Sequence, residues 1–203
     1  MKSILLSIKP KYVELIARGE KTIEARKTAP KEVPFKCYIY ESRNGGHRCK
    51  HCNEKDSCYS YAPKNVGCYN GRGKVIGEFI CDRIICSQAY FDSQGKNHLT
   101  NVFPDDIKKT CLDEYDLWDY IAGKAVKANQ MYDGYLWHIS DLKIYDKPRE
   151  LSEFGRGCDA ENMGEIHCTD CKKLVSFDDI CEVMCKPLNR PPQSYMFVEE
   201  VKK

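Results

Sequence analysis

Nine of the thirteen cysteines in this 203-residue chain fall into two tight groups, and their spacing is that of metal ligands. Cys49, Cys52, Cys58 and Cys68 run as C-x2-C-x5-C-x9-C. Cys168, Cys171, Cys181 and Cys185 run as C-x2-C-x9-C-x3-C, with Cys158 a fifth thiol able to replace Cys185. A C-x2-C knuckle presents two thiolates to one tetrahedral zinc ion, and two further thiolates close the site. His47, His51 and His167 stand near enough in sequence to substitute for a thiolate. All-cysteine sets are closed and structural, whereas a catalytic zinc keeps an open position and mixes in histidine or carboxylate. The expectation is therefore two structural zinc ions, one per group, with free thiols or disulfides as the alternative reading. Cys37, Cys81, Cys86 and Cys111 sit in apolar or mixed surroundings and read as small core residues.

A second set of residues suits a polar ligand. Lys21, Thr22, Glu24 and Arg26 follow Gly19 in a run where polar and apolar residues alternate around Ile23 and Ala25. Glu78 lies in KVIGEFICDRII, where strict alternation puts it on one face with Ile76 and Ile80. A carboxylate on an apolar face needs a cation or a raised pKa if buried; otherwise the strand is an edge whose polar residues meet water. Lys21 and Arg26 can hold a phosphate or a carbonyl oxygen, and Glu24 and Glu78 can accept from base amino groups. Tyr38, Tyr40, Trp137 and Tyr195 are candidate stacking platforms or core aromatics. His138 reads as a satisfied strand residue or as an acid or base near the strand end.

The elements that must position these residues are short. Ile4, Leu6 and Ile8 alternate as a strand; Pro10 then opens a helix carrying Tyr12, Leu15 and Ile16, which Gly19 closes. A strand follows over Thr22 to Arg26, and others are expected at Lys36 to Glu41, Val75 to Ile85, Tyr135 to Tyr145 and Tyr195 to Val201. Leu117, Trp118 and Ile121 share a stripe on a helix near 113–121. Many short strands with few helices define an α+β, mainly β class and point to a small closed or nearly closed barrel. The stretches 42–73 and 155–192 have few aliphatic residues and begin and end beside expected strands. They read as cysteine-rich inserts on a single domain spanning 1–203. A bound zinc ion would supply the folding free energy that such loops lack.

Charge and length narrow the function. The balance of 32 basic against 30 acidic residues is only +2, but residues 1–36 hold nine Lys/Arg against four Glu and residues 42–73 six against two acids. A basic surface in the first third suits an RNA or nucleotide, or is simply a solvated face. No apolar run approaches the roughly 20 residues needed to span a bilayer. The first residues meet charge too early for a signal peptide, so the chain reads as cytoplasmic with no membrane partner.

Gly19-Glu20-Lys21-Thr22-Ile23-Glu24-Ala25-Arg26 after a short helix resembles the G-x-K-x-x-E-x-R signature of the ASCH domain family. VIGEFICD, GYLWHISDLKIYDKPRELSEF and PPQSYMFVEE resemble its later strands, the last two being similar to ASCH proteins of phages and prophages, some with cysteine-rich loops. The resemblance implies a PUA-like barrel and a cleft for RNA lined by Lys21, Glu24 and Arg26, with Glu78 at an acidic position on a facing strand. One bacterial branch of the family hydrolyses the acyl amide of N4-acetylcytidine with a lysine, a threonine and a glutamate. Lys21 and Glu78 match two of these; the threonine position holds Glu24, with Thr22 two residues earlier on the same face. Three functions follow as expectations: an RNA- or nucleotide-binding module with structural zinc, a hydrolase of modified nucleosides or RNA, and a zinc-stapled protein-interaction adaptor.

Overall fold

The computed structural model describes residues 3–43, 71–123, 126–127, 130–156 and 187–200. All nine clustered cysteines, and with them both expected zinc sites, lie outside the described residues. What is described is mainly β with few helices.

Strand β1 (Ser3–Ile8) runs parallel to β3 (Phe35–Glu41), and a parallel pair needs a crossover. Helix α1 (Pro10–Ala17) and strand β2 (Ile23–Arg26) supply it. Pro10 at the first helical turn and Gly19 in the left-handed region (φ 73°) bound the helix, as the sequence predicts. Val13 and Ile16 turn inward to join Ile4, Leu6 and Ile8 of β1 and Phe35, Cys37 and Ile39 of β3 in the largest core cluster. Alternate residues of the same strands, Leu5, Tyr38 and Tyr40, enter a second core on the other face with Phe154 and Val198. The middle of this sheet is thus buried on both sides.

The chain continues through β4 (Val75–Cys81), β5 (Ile84–Phe91), β6 (Asn97–Leu99), helices α2 (Pro104–Lys109) and α3 (Glu114–Ala122), and β7 (Tyr132–His138). Strands β8 (Ser140–Arg149), β9 (Phe154–Arg156) and β10 (Tyr195–Glu200) complete it. One sheet has the order β8-β4-β3-β1-β10-β9 and the other β2-β7-β5-β6. The single strands expected at 75–85 and 135–145 are each two strands, because the chain changes sheet at Asp82–Arg83 and again at Ile139. Two bonds clamp these corners, from His138 N to Arg83 O (3.0 Å) and from Ser140 Oγ to Ile80 O (2.9 Å). A turn of the backbone between two apolar strands leaves no break in hydrophobicity, so the alternation reads straight through it. Among the described residues the pairings form two open sheets rather than a closed ring of strands.

Helix α3 carries Leu117, Trp118 and Ile121 inward as predicted, with Asp113 capping it by accepting from Asp116 N at 2.7 Å. Gly134 lets it close on β7: a Cβ there would lie 2.4 Å from Ile121 Cδ1. Helix α2, with no buried residue and only six residues, left no periodic signal. Cys37 and Cys81 are core residues as expected, whereas Cys86 is exposed and Cys111 half-buried.

The two inserts are rooted on the six-stranded sheet. Ser42 N donates to Ile8 O and Gly73 N to Glu41 O, so the first insert leaves and returns between β3 and β4. Gly155 bridges Pro187, and Leu188 N donates to Phe154 O, so the ends of the span 155–192 belong to the sheet through β9. Among the described residues no helix is long and apolar enough to cross a membrane.

Candidate functional site

Strand β2 is buried on both faces. Ile23 and Ala25 pack into the core beneath α3, and Glu24 and Arg26 turn the other way. The expected polar face is therefore internal: Lys21, Glu24 and Arg26 are 2%, 3% and 9% exposed. They line a cleft of about 420 Å³ together with the end of β1 (Ser7, Ile8, Lys9), Tyr12 of α1, Tyr120 of α3 and residues 191–194.

Three ionic side chains stand in one row across this cleft. The Glu24 carboxylate lies between the two cations, with Lys21 Nζ 3.2 Å from Oε2 and Arg26 Nη1 donating to Oε1. Lys21 Nζ also donates to Thr110 O (2.6 Å), a carbonyl at the C-terminal end of α2, where the helix dipole favours a cation. Arg26 donates from Nη1 to Ala25 O (2.9 Å) and from Nη2 to Ser7 O (2.8 Å). Burial would raise the Glu24 pKa, but the Arg26 and Lys21 charges outweigh it and hold the carboxyl below its ordinary value. Burial likewise works against the Arg26 charge, and Glu24 more than restores it. Two atoms retain unused capacity: Arg26 Nε is buried without a hydrogen-bond partner, and Glu24 Oε2 has only the Lys21 ion pair.

Ser7 ties the floor of the cleft to one wall. Its carbonyl accepts from Arg26, its amide donates to Ser194 O at 3.0 Å, and its hydroxyl donates to Pro192 O at 2.7 Å. The segment 191–194 that leads into β10 is thereby held over β2. The rim is basic and aromatic: Lys11 Nζ lies 4.5 Å and Lys21 Nζ 5.2 Å from the Tyr12 ring centre, and Lys27 Nζ 5.8 Å from that of Tyr120.

Of the predicted site residues, Lys21, Glu24 and Arg26 are brought together and Glu78 is not. In the pairing of β3 with β4, Ile39 faces Gly77 and Tyr40 faces Val75, so Ile76 is an extra residue and the face changes there. Ile76 enters the main core, while Glu78 sits opposite Tyr38 on the far side of the sheet. There it accepts from Tyr145 Oη (2.5 Å) and Lys36 Nζ (3.1 Å). Burial tends to raise its pKa, and these two donors bring it below the ordinary value. Thr22 contributes its backbone, accepting from Ile139 N at 2.9 Å and donating to Lys109 O at 3.1 Å.

The expected stacking residues do not line the cleft either. Tyr38 and Tyr40 are buried in the second core, Trp137 is fully buried, and Tyr195 packs edge-on against Trp137. Tyr12 and Tyr120 take their place at the cleft. Tyr12 is masked in sequence by the apolar stripe of α1, and Tyr120 stands off the Leu117, Trp118, Ile121 stripe, which is the one signal of its exposure. His138 pairs with Asp82 (2.7 Å) at the corner between the sheets. Among the described residues no three His, Cys, Asp or Glu side chains gather as metal ligands.

Residues 6–96, a little under half of the chain, match the sequence model of the ASCH domain. The fold is similar to the crystal structure of ASCH from Zymomonas mobilis, with 16% identity, a TM-score of 0.50, and coverage of 98% of this chain and 88% of that one. A mutant of the same Zymomonas mobilis protein aligns with 14% identity, a TM-score of 0.49, and coverage of 98% and 91%. No curated protein matches the chain. The matched segment contains Lys21, Glu24 and Arg26, and the mainly β fold with few helices is similar to that of the ASCH crystal structure.

Proposed function

We propose that this is an ASCH-type, PUA-like module that binds RNA or a nucleotide in the cleft floored by Lys21, Glu24 and Arg26. The observation that carries it is the charge of that floor. Two cations share one carboxylate, so a net positive charge is buried, and Lys9 and Lys11 add two more at the rim. An uncompensated buried charge is costly, and an anionic ligand relieves that cost. The cleft has the size of a single nucleotide site, and its tyrosines offer ring faces to a base.

Ser42 and residues 191–194, at the edges of the two inserts, line the same cleft. The proposal therefore includes the inserts as flanking surface, each ordered by zinc. Cys49, Cys52, Cys58 and Cys68 hold one ion. Cys168, Cys171, Cys181 and Cys185 hold the other, with Cys158 as the alternative ligand. A hydrolase would need a proton shuttle beside Lys21, and Glu78 stands on the other side of the six-stranded sheet.

The test is fluorescence anisotropy of short single-stranded RNAs at several salt concentrations. Affinity is expected to fall as a power of salt with a slope near the number of phosphates neutralised. Reversing the charge of Lys9, Lys11 and Arg43 together is expected to flatten that slope. Absence of binding at low salt would leave the adaptor as the better reading.

A further inference from the structure

The floor of the cleft has a polarity that not every base can match. Passing from Lys21 through Glu24 to Arg26, it presents donor, acceptor, donor. The central carboxylate is ionised, because the neighbouring cations hold it below its ordinary value, so it can only accept. Each member has capacity left for a ligand. An ammonium has three N–H groups, and Lys21 uses one on Thr110 O and directs another at Glu24. Glu24 Oε2 has only the Lys21 ammonium at 3.2 Å and keeps a lone pair, and Arg26 Nε donates no hydrogen bond. Groups left in this state at 3% and 9% exposure are costly unless something completes them.

We propose that the cleft selects a base with an acceptor, donor, acceptor edge, the imide edge of uracil, with Glu24 as the residue that sets the preference. The inference rests on the nucleotide-binding reading above. Uracil offers O4, N3–H and O2 in that order, so each carbonyl meets a cation and the N3–H meets the carboxylate. Cytosine offers its N3 lone pair to Glu24 and an amino group to a cation, two mismatches. Guanine places its 2-amino group against a cation. Adenine supplies one acceptor and one donor and leaves the second cation unmatched. A site whose buried groups are left unpaired rejects the wrong ligand far more strongly than one differing only in apolar contact. Tyr12, Tyr120, Pro191 and Pro192 give the walls the flat, weakly polar faces on which any base can stack, so stacking does not choose among them.

The experiment uses the full chain and four fluorescent oligomers of equal length at one salt concentration: oligouridine, oligocytidine, oligoadenosine, and oligouridine methylated at N3. Oligouridine is expected to bind at least about tenfold more tightly than the cytidine and adenosine oligomers, a factor typical of a mismatched hydrogen bond to a charged group. N3-methylation is expected to remove that advantage, since it deletes the central donor and keeps the phosphates. Glu24→Gln, with folding checked by its unfolding midpoint, is expected to bring the uridine and cytidine affinities toward each other. The methylated oligomer tests the same contact on the unaltered protein if that variant does not fold. Equal binding of all oligomers, or full retention of affinity on N3-methylation, overturns the base preference and leaves RNA binding standing. Binding of none of them overturns both.

Discussion

Asp82 Oδ1 lies 2.7 Å from His138 Nδ1, and these two residues stand at the two points where the chain crosses from one sheet to the other. The contact pins β4 and β5 to β7 and β8 at the corner. The hydrogen bond with His138 lowers the Asp82 pKa. A carboxylate with a depressed folded-state pKa adds stability that is present above its unfolded value of 3.8 and is lost as pH falls through the folded one. Both side chains are partly exposed, so Asp82→Asn is expected to cost under about 1 kcal/mol near neutral pH. Urea unfolding of both proteins should show that difference near neutrality and none well below the ordinary aspartate range.

The buried row in the cleft makes a stronger prediction. Glu24→Ala leaves Lys21 and Arg26 facing each other without their counter-ion, and removing one partner of a buried ionic group costs about 3–5 kcal/mol. The denaturant midpoint should fall accordingly, with the slope of the transition unchanged. Glu24 is held below its ordinary pKa, so its stabilisation is present above 4.5 and declines as pH drops through the lowered value. Unfolding curves of the native protein against pH should show that acid-side decline, and those of Glu24→Gln a smaller one, to which Asp82 and Glu78 still contribute.

Arg26→Lys tests whether the planar guanidinium is needed. Arg26 reaches Glu24, Ala25 O and Ser7 O at once, and a single ammonium cannot span this fork. The substitution is expected to cost about 1–3 kcal/mol, the price of leaving buried acceptors unsatisfied. It should also loosen the segment at 191–194, which hangs on Ser7. Faster amide exchange at Ser7, whose N–H donates to Ser194 O, compared with native protein, would register that loosening.

Glu78 provides the contrast. It bonds Tyr145 and Lys36 on the sheet face away from the cleft. Glu78→Gln is expected to lower stability by about 1–2 kcal/mol, as hydrogen bonds to an ionised group are lost. RNA affinity should stay within about twofold, or about 0.4 kcal/mol, since Glu78 makes no contact with the cleft lining. A large loss of affinity in a stably folded Glu78→Gln protein would place Glu78 at the ligand.

For the cysteine groups the measurement is elemental. Freshly reduced protein is expected to carry close to two zinc ions, and less than about half an ion per chain would refute the zinc reading. Chelation should open the inserts to protease while the sheets stay folded, because their core is built from β1, β3 and β4 without any clustered cysteine.

Much of this was legible in the order of residues. The first strand, α1 and its closing glycine, the run from Lys21 to Arg26 and the stripe of α3 follow from periods of two and 3.6, which local sterics enforce within a few residues. The charged signature could likewise be picked out, because three ionisable residues in a short strand are conspicuous among apolar neighbours. Which side of a sheet Glu78 faces was decided elsewhere. One extra residue at Ile76 shifts the face of everything after it, and a bulge is a property of pairing with β3, not of β4 alone. The two corners are of the same kind, since a continuous apolar run does not reveal where the chain leaves one sheet for another. Tyr12 and Tyr120, far apart in sequence, reach one cleft only when α1 and α3 have packed. Local chemistry determined what the elements are, and the long-range pairing of strands determined which residues meet.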